Sequence, residues 1–207
     1  MNIQQYKKRA YVFFDGQNLF HAAKDAFGYP HVNYDPKKLS EKICEEKGWQ
    51  LDSIYFYTGI PSPLHNEKLY KIWTAKLAVM GTRGIKIFSR ELRYTEKKTI
   101  SPDGSLKSEY LGREKGIDVR IALDIVRFAF EDMYDVAVIF SQDQDFIEAV
   151  KDVKTYSKKN GKWIELYSAF PFSKDSVNSR GIYSTDWIKI DKDFYDSCID
   201  PINYLNG

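Results

Sequence analysis

Val136-Ala-Val-Ile-Phe140, followed at once by Ser141-Gln-Asp-Gln-Asp145, is the stretch from which the fold is read. Five apolar residues without a polar interruption describe a strand covered on both faces, as central strands of parallel sheets are. The same pattern occurs at Ala10-Tyr-Val-Phe-Phe14, which Asp15 and Gly16 close. Further strand-like runs lie at 53–58, 84–88, 163–167 and, more weakly, 186–190. Helical patterns fall near 17–27, 36–47, 65–80, 117–131, 144–159 and 173–181. Strands alternating with helices predict an α/β fold, a three-layer α/β/α sandwich on a mostly parallel sheet. At 207 residues one domain is expected over 1–207.

The stretch 90–115 departs from this alternation. Residues 86–115 hold eight Lys or Arg against five acids, and Pro102-Asp-Gly104 is a turn signal. A basic insertion at about 90–115, pairing as an exposed hairpin, is expected. Residues from about 191 to 207 are expected to pack as a tail along the domain surface.

The balance of 31 basic and 29 acidic residues gives a formal net charge of +2, so any nucleic-acid affinity must come from local patches. The 43% apolar content suffices for a sizeable core. Cys44 and Cys198 match no zinc or redox spacing and are expected to be reduced thiols. The first residues lack the apolar stretch of a signal peptide, and no run approaches the ~18 apolar residues of a membrane helix. A cytoplasmic protein without membrane contact is expected.

Polar residues at the strand ends carry the chemistry. Asp15 and Asp143 or Asp145 have an ordinary reading as helix N-caps. Two acids and Ser141 at one strand end nevertheless exceed what capping needs. Asp118 opens an otherwise apolar helix, and at 100° per residue Ile121, Ala122, Ile125 and Ala129 fall within about 60° of it. It is therefore expected in the middle of a buried stripe. Asp124 falls on the opposite side, where Arg120 and Arg127 make it an exposed ion pair. In doubly wound sheets ligands bind beyond the carboxyl ends of strands, where strand order reverses. If 10–14 and 136–140 are neighbours there, Asp15, Asp118, Asp143 and Asp145 share one crevice with Asn18. Crowded carboxylates raise one another's pKa, and a divalent cation is their simplest partner. His21, His31 and His65 show no spacing that recruits them and read as packing or surface residues. Gln17 stands where a haloacid dehalogenase phosphatase needs a second acid, and a single glycine after the first strand excludes a dinucleotide fingerprint.

Phe14-Asp-Gly-Gln-Asn18, Glu114-Lys-Gly-Ile-Asp118-Val and Ile139-Phe-Ser-Gln-Asp-Gln-Asp-Phe146 resemble the three motifs of the NYN domain family, part of the PIN-like nuclease superfamily that includes the LabA-like bacterial proteins. The resemblance spans roughly residues 10–190. It implies a PIN-like, Rossmannoid fold and a metal-dependent ribonuclease that holds one or two Mg²⁺ or Mn²⁺ ions. On that pattern Asp15, Asp118, Asp143 and Asp145 are the metal-site and catalytic acids, with Asn18 as a supporting ligand beside Ser141. Gln142 and Gln144 stand where the family has small residues, and are expected to narrow access. RNA, read as single-stranded, would be drawn in by Arg90, Arg93, Lys97, Lys98, Arg113 and Lys115, with Lys7, Lys8 and Arg9 as further candidates. Tyr94 and Tyr110 would stack on unpaired bases. A homodimer is left open. The rival reading is a PIN-like domain that binds RNA or a protein and hydrolyses nothing.

Overall fold

The computed structural model describes residues 6–100 and 106–204. Six strands form one sheet: β1 Arg9–Asp15, β2 Gln50–Ile60, β3 Lys86–Glu91, β6 Val136–Phe140, β7 Glu165–Pro171 and β8 Asp186–Ile190. Their spatial order is β3-β2-β1-β6-β7-β8, and every neighbouring pair is parallel. Strand order reverses between β1 and β6, where Phe14 lies opposite Phe140. The two most continuous apolar runs are thus the two central strands.

Alternation along β1 fixes the layers. Ala10, Val12 and Phe14 face a core built with α1 Gly16–Phe27, α2 Pro36–Lys47 and α3 Pro63–Thr82. Tyr11 and Phe13 face the opposite core, with α4 Ile117–Phe130 and α5 Ile147–Asn160. By the same alternation Asp15 projects to the side of α4 and α5.

Helix boundaries follow local chemistry. Asp35 accepts from the amides of Lys37 and Lys38 to cap α2, and Pro36 takes the first helical position, where its missing N–H costs nothing. Gly28, Gly48 and Gly161 end α1, α2 and α5 in the left-handed conformation. Asn66 interrupts α3 with φ −156° and restarts it by accepting from the Leu69 amide at 2.9 Å.

The basic insertion is an antiparallel hairpin, β4 Arg93–Ile100 against β5 Leu106–Arg113, standing apart from the six-stranded sheet. The expected turn at Pro102–Gly104 lies outside the described residues. No described helix is long and apolar enough to cross a membrane. Cys44 and Cys198 are free and buried.

Three expectations need correction. Residues 173–181 form no helix. Val177 is the only large apolar residue among them, so there is no apolar face to bury. The tail does more than lie on the surface. It forms α6 Lys192–Ser197, buries Tyr195 and Cys198, and sends a buried Asp200 to within 3.7 Å of Lys76 and 3.6 Å of Arg83. The buried stripe of α4 is centred on Ile121, Ile125 and Phe128, with Ile117, Asp124 and Ala129 beside them. Phe128 and Asp124 pull its centre away from Asp118, which is exposed. Asp124 is 3% exposed. It takes the Tyr57 hydroxyl at 2.9 Å, Arg120 at 2.8 Å and Arg127 at 3.0 Å. The expected ion pairs exist, but the carboxylate lies beneath its partners.

Candidate active site

Asp15 ends β1 at the reversal point and is 3% exposed. One carboxylate oxygen accepts from the Asn18 amide at 3.0 Å, which caps α1. The other accepts from the Ser141 hydroxyl at 3.1 Å, across the gap to the end of β6. The capping reading is therefore correct as far as it goes. Capping alone does not require the second bond or the depth of burial.

The loop after β6 is tied to the same point. The Asn18 side-chain oxygen accepts from the Gln142 amide at 3.0 Å, so Asn18 braces the two strand ends. The Ser141 hydroxyl also receives the Asp143 amide at 3.1 Å, and the Asp143 carboxylate caps the following single turn through the Asp145 amide at 2.9 Å. Gln142 and Gln144 turn their amides onto the 178–183 backbone. Gln142 donates to the carbonyls of Asn178 and Arg180, and Gln144 donates to Gly181 and accepts from the Tyr183 amide. The two glutamines bind the acidic loop to the irregular segment that replaces the expected helix.

Asp118 reaches the site from the first turn of α4. Its helix starts at Gly116, whose φ of +76° suits glycine and whose lack of side chain leaves the helix without a side-chain cap. No hydrogen bond among the described residues engages the Asp118 carboxylate. Partial loss of water pushes its carboxyl up, and the negative charges of Asp143 and Asp145 push it further.

Glu114 is the acid that the residue-level reading assigned no role. It stands half-buried four residues before Asp118, and its carboxylate accepts from the Gly59 amide. Burial raises its carboxyl, and Asp118 adds to the rise. At Asp15 the same physics is strongest. Burial, reinforced by the charges of Asp118 and Glu114, pushes its carboxyl up to about 7 against the Asn18 amide and Ser141 hydroxyl that favour the charged form. Like charges thus form a continuous line from Asp143 and Asp145 through Asp118 to Asp15 and Glu114. Its sequence signal was the four-residue spacing to Asp118 across a glycine.

The donor chemistry of this line is all oxygen and anionic, which suits a hard divalent cation. Among the described residues, no three His, Cys, Asp or Glu side chains stand as a group that could hold one ion. Asp15 already has both oxygens engaged by protein donors.

The basic candidates separate into three sets. Arg90 sits near the end of β3, donates to the Lys115 carbonyl at 3.4 Å, and so lies beside the start of α4 with Lys115. Arg93 and Arg113 pair across the base of the hairpin. Lys97 stands opposite Glu109 further out, and Lys98 is 3.7 Å from Glu96, so acids offset these two. Lys8 pairs with Glu165 and Arg9 with Asp135 at the opposite edge of the sheet. Six residues of strand at about 3.3 Å each place Arg9 roughly 20 Å from Asp15, and Lys7 precedes it. Lys7, Lys8 and Arg9 are therefore removed from the site. Tyr94 donates no free face to one side: its ring stacks on His65 at 3.7 Å, and Tyr110 meets the same imidazole edge-on at 5.0 Å.

Gly16 shows how tightly the site is set. A Cβ there would lie 2.7 Å from the ring of buried Phe56 and 3.0 Å from the Tyr57 carbonyl oxygen. Gly16→Ala is expected to lower stability by about 1–3 kcal/mol, because neither a core ring nor backbone yields cheaply. Urea denaturation measures it, and an unchanged midpoint would contradict this packing.

A family model described as the NYN domain matches residues 9–184. A solved structure of a Vibrio parahaemolyticus protein of unknown function superposes with a TM-score of 0.55 at 16% identity, covering 92% of this chain and 97% of that one. At that identity the likeness speaks for the fold alone. No curated protein matches the chain.

Proposed function

Since the chain belongs to the NYN domain family, we propose that it is a metal-dependent ribonuclease, LabA-like in type, that hydrolyses phosphodiester bonds in single-stranded RNA. The observation that carries this reading is Asp15. A carboxylate 3% exposed, raised to about 7 and facing further acids at a sheet's reversal point is an arrangement that costs stability unless a cation relieves it.

In this reading Asp15, Asp118, Asp143 and Asp145 would close on one or two Mg²⁺ or Mn²⁺ ions from the separate positions they occupy, and Glu114 would close the line on the β2 side. Such an ion, when bound, activates water and neutralises charge developing on the phosphate. The remaining work falls to side chains of this chain. Asn18 and Ser141 hold Asp15 and the loop after β6 in a fixed relation. Arg90 and Lys115 give the rim the positive charge that a phosphate backbone needs in order to approach acids. Arg93 and Arg113 extend that charge along the hairpin base, and Tyr110, 56% exposed, offers a ring to an unpaired base. We read the chain as one such domain, working in the cytoplasm, with the hairpin as its insertion.

The test is cleavage of end-labelled single-stranded RNA by purified protein. Product is expected with Mn²⁺ or Mg²⁺ and none with excess EDTA. Intact RNA across several sequences and both metals would overturn the reading and leave a domain that binds without cutting.

A further inference from the structure

Beside the acidic crevice lies a groove of about 740 Å³, inside the ~300–1,000 Å³ range of ligand sites. Its roof is α3. Leu69, Ile72 and Trp73 have the i, i+3, i+4 spacing of a face that a helix normally buries in its core. Here that face lines the groove, with Leu69 40% exposed and Ile72 and Trp73 only half-buried. Of the twenty residues in α3, only Lys76, Leu77 and Met80 are buried. Phe20 of α1 contributes to the lining, and Pro201 and Ile202 of the tail line it as well. Trp73 packs on one side against the core beside Phe56, but the apolar surface left open to the groove forgoes the dispersion contacts that close packing supplies, so the groove favours an apolar-faced guest.

Two further observations narrow the guest. Among the described residues the one buried cation in the lining is Lys76, already matched by Asp200 at 3.7 Å and by the Val32 carbonyl at 3.3 Å. The floor therefore presents no spare charge, and a phosphate or carboxylate has no partner there. Amide and imidazole groups do line it, from Gln17, Asn33, His21 and His31. A neutral heteroaromatic ring, with apolar faces and polar edges, matches that mixture. The groove also runs into the acidic line. Gly16 follows Asp15, and Gly59 and Glu114, joined by their hydrogen bond, belong to both.

We infer that this groove is a nucleobase subsite, receiving one unpaired base of the strand whose phosphodiester lies at the Glu114 end of the acidic line, with Trp73 as a stacking surface. The inference rests on the ribonuclease reading and adds what that reading leaves open: how a single strand is held beside the acids. A single strand is favoured, because a paired base must first be unpaired and unstacked, at a cost of a few kcal/mol, before it can enter.

The experiment uses Trp73 as its own reporter. In a protein with Trp49, Trp163 and Trp187 replaced by Phe, emission comes from Trp73 alone. With EDTA present, so that nothing is cut, a single-stranded RNA hexamer is titrated against an abasic ribose-phosphate strand of the same length, and binding is followed in parallel by anisotropy of a labelled strand. The RNA is expected to change Trp73 emission saturably and to bind about tenfold more tightly than the abasic strand, in keeping with stacking on an aromatic ring. Trp73→Ala in the otherwise natural protein is expected to lose about that factor. Equal binding of the two strands, or RNA binding that leaves Trp73 emission unchanged, overturns the subsite while sparing the ribonuclease reading. RNA that neither binds nor is cut when metal is restored overturns both.

Discussion

Asp118→Asn and Asp143→Asn are each expected to lower RNA cleavage by about 10³-fold while the melting temperature stays within a few degrees of the parent. Both substitutions keep the shape of the side chain and remove its charge. Asp118 is exposed and engages no hydrogen bond among the described residues, so folding loses little beyond a helix-dipole contribution of about 0.3–1 kcal/mol. It also gains by escaping the repulsion of Asp143 and Asp145. Asn at 143 retains an oxygen for the Asp145 amide. On the proposed ribonuclease reading the reaction loses more. A cation held by fewer carboxylates stabilises the transition state less, and several kcal/mol at about 1.4 kcal/mol per decade gives the stated factor. Single-turnover rates at saturating Mn²⁺, with melting curves on the same samples, measure both quantities. Rates within threefold of the parent would remove these two acids from the reaction. Asp124→Asn supplies the contrast. That carboxylate lies under Tyr57, Arg120 and Arg127 and away from the acidic line, so its loss strips partners from buried groups. It is expected to lower stability most and to affect the rate per folded molecule least.

How much of this was legible in the sequence depends on the range of the interactions involved. The strands at 136–140 and 186–190 are found with the expected bounds, because their limits are set by their own composition. The pairing of β1 with β6 entered the sequence reading only as the condition for a shared crevice, and the structure meets that condition. Asp118 and Asp124 were misplaced for one shared reason. Stepping around α4 from Asp118 took that residue as the centre of the buried face, whereas Phe128, large and apolar, sets the centre about 60° away. Asp124 is then drawn inward by the Tyr57 hydroxyl, a partner 67 residues distant that no helical wheel contains. Segment 173–181 failed similarly: the side chains of Gln142 and Gln144, together with Asp25, which accepts from the Val177 amide, hold it in an irregular course. The groove under α3 was invisible because it consists of where a helix does not sit.

In the absence of divalent metal, the protein is expected to lose stability as pH rises from about 4 to 7, and Asp15→Asn is expected to abolish most of that loss. The carboxyl of Asp15 lies near 7 when folded, against an ordinary value near 4 when unfolded. Between those limits the native state binds a proton that the unfolded state releases. Stability contributed by that proton is fully present below pH 4 and gone above 7. At about 1.4 kcal/mol per pH unit the span amounts to roughly 4 kcal/mol, an upper figure for a single site. Glu114 and Asp118 are also raised and add in the same direction. Asp135 and Glu165, held down mainly by Arg9 and Lys8 against the effect of burial, act oppositely, gaining stability as pH rises through the acid range. Asp135 and Glu165 titrate alike in parent and variant, so the difference between the two curves reports Asp15 together with its coupling to Asp118 and Glu114. Asparagine can still accept from the Asn18 amide and meet the Ser141 hydroxyl, and should therefore fold and outlast the parent at pH 8 by several kcal/mol. Chemical denaturation in EDTA at pH 5, 6, 7 and 8 reads the effect. Adding Mn²⁺ at pH 8 should then stabilise the parent, since a ligand for the native state alone adds RT ln(1 + [L]/Kd), and should do so far less for the variant. Parallel curves for the two proteins would mean that the buried carboxylate is not the cost that the ribonuclease reading takes it to be, and with that the physical reason for a cation at this site would be gone.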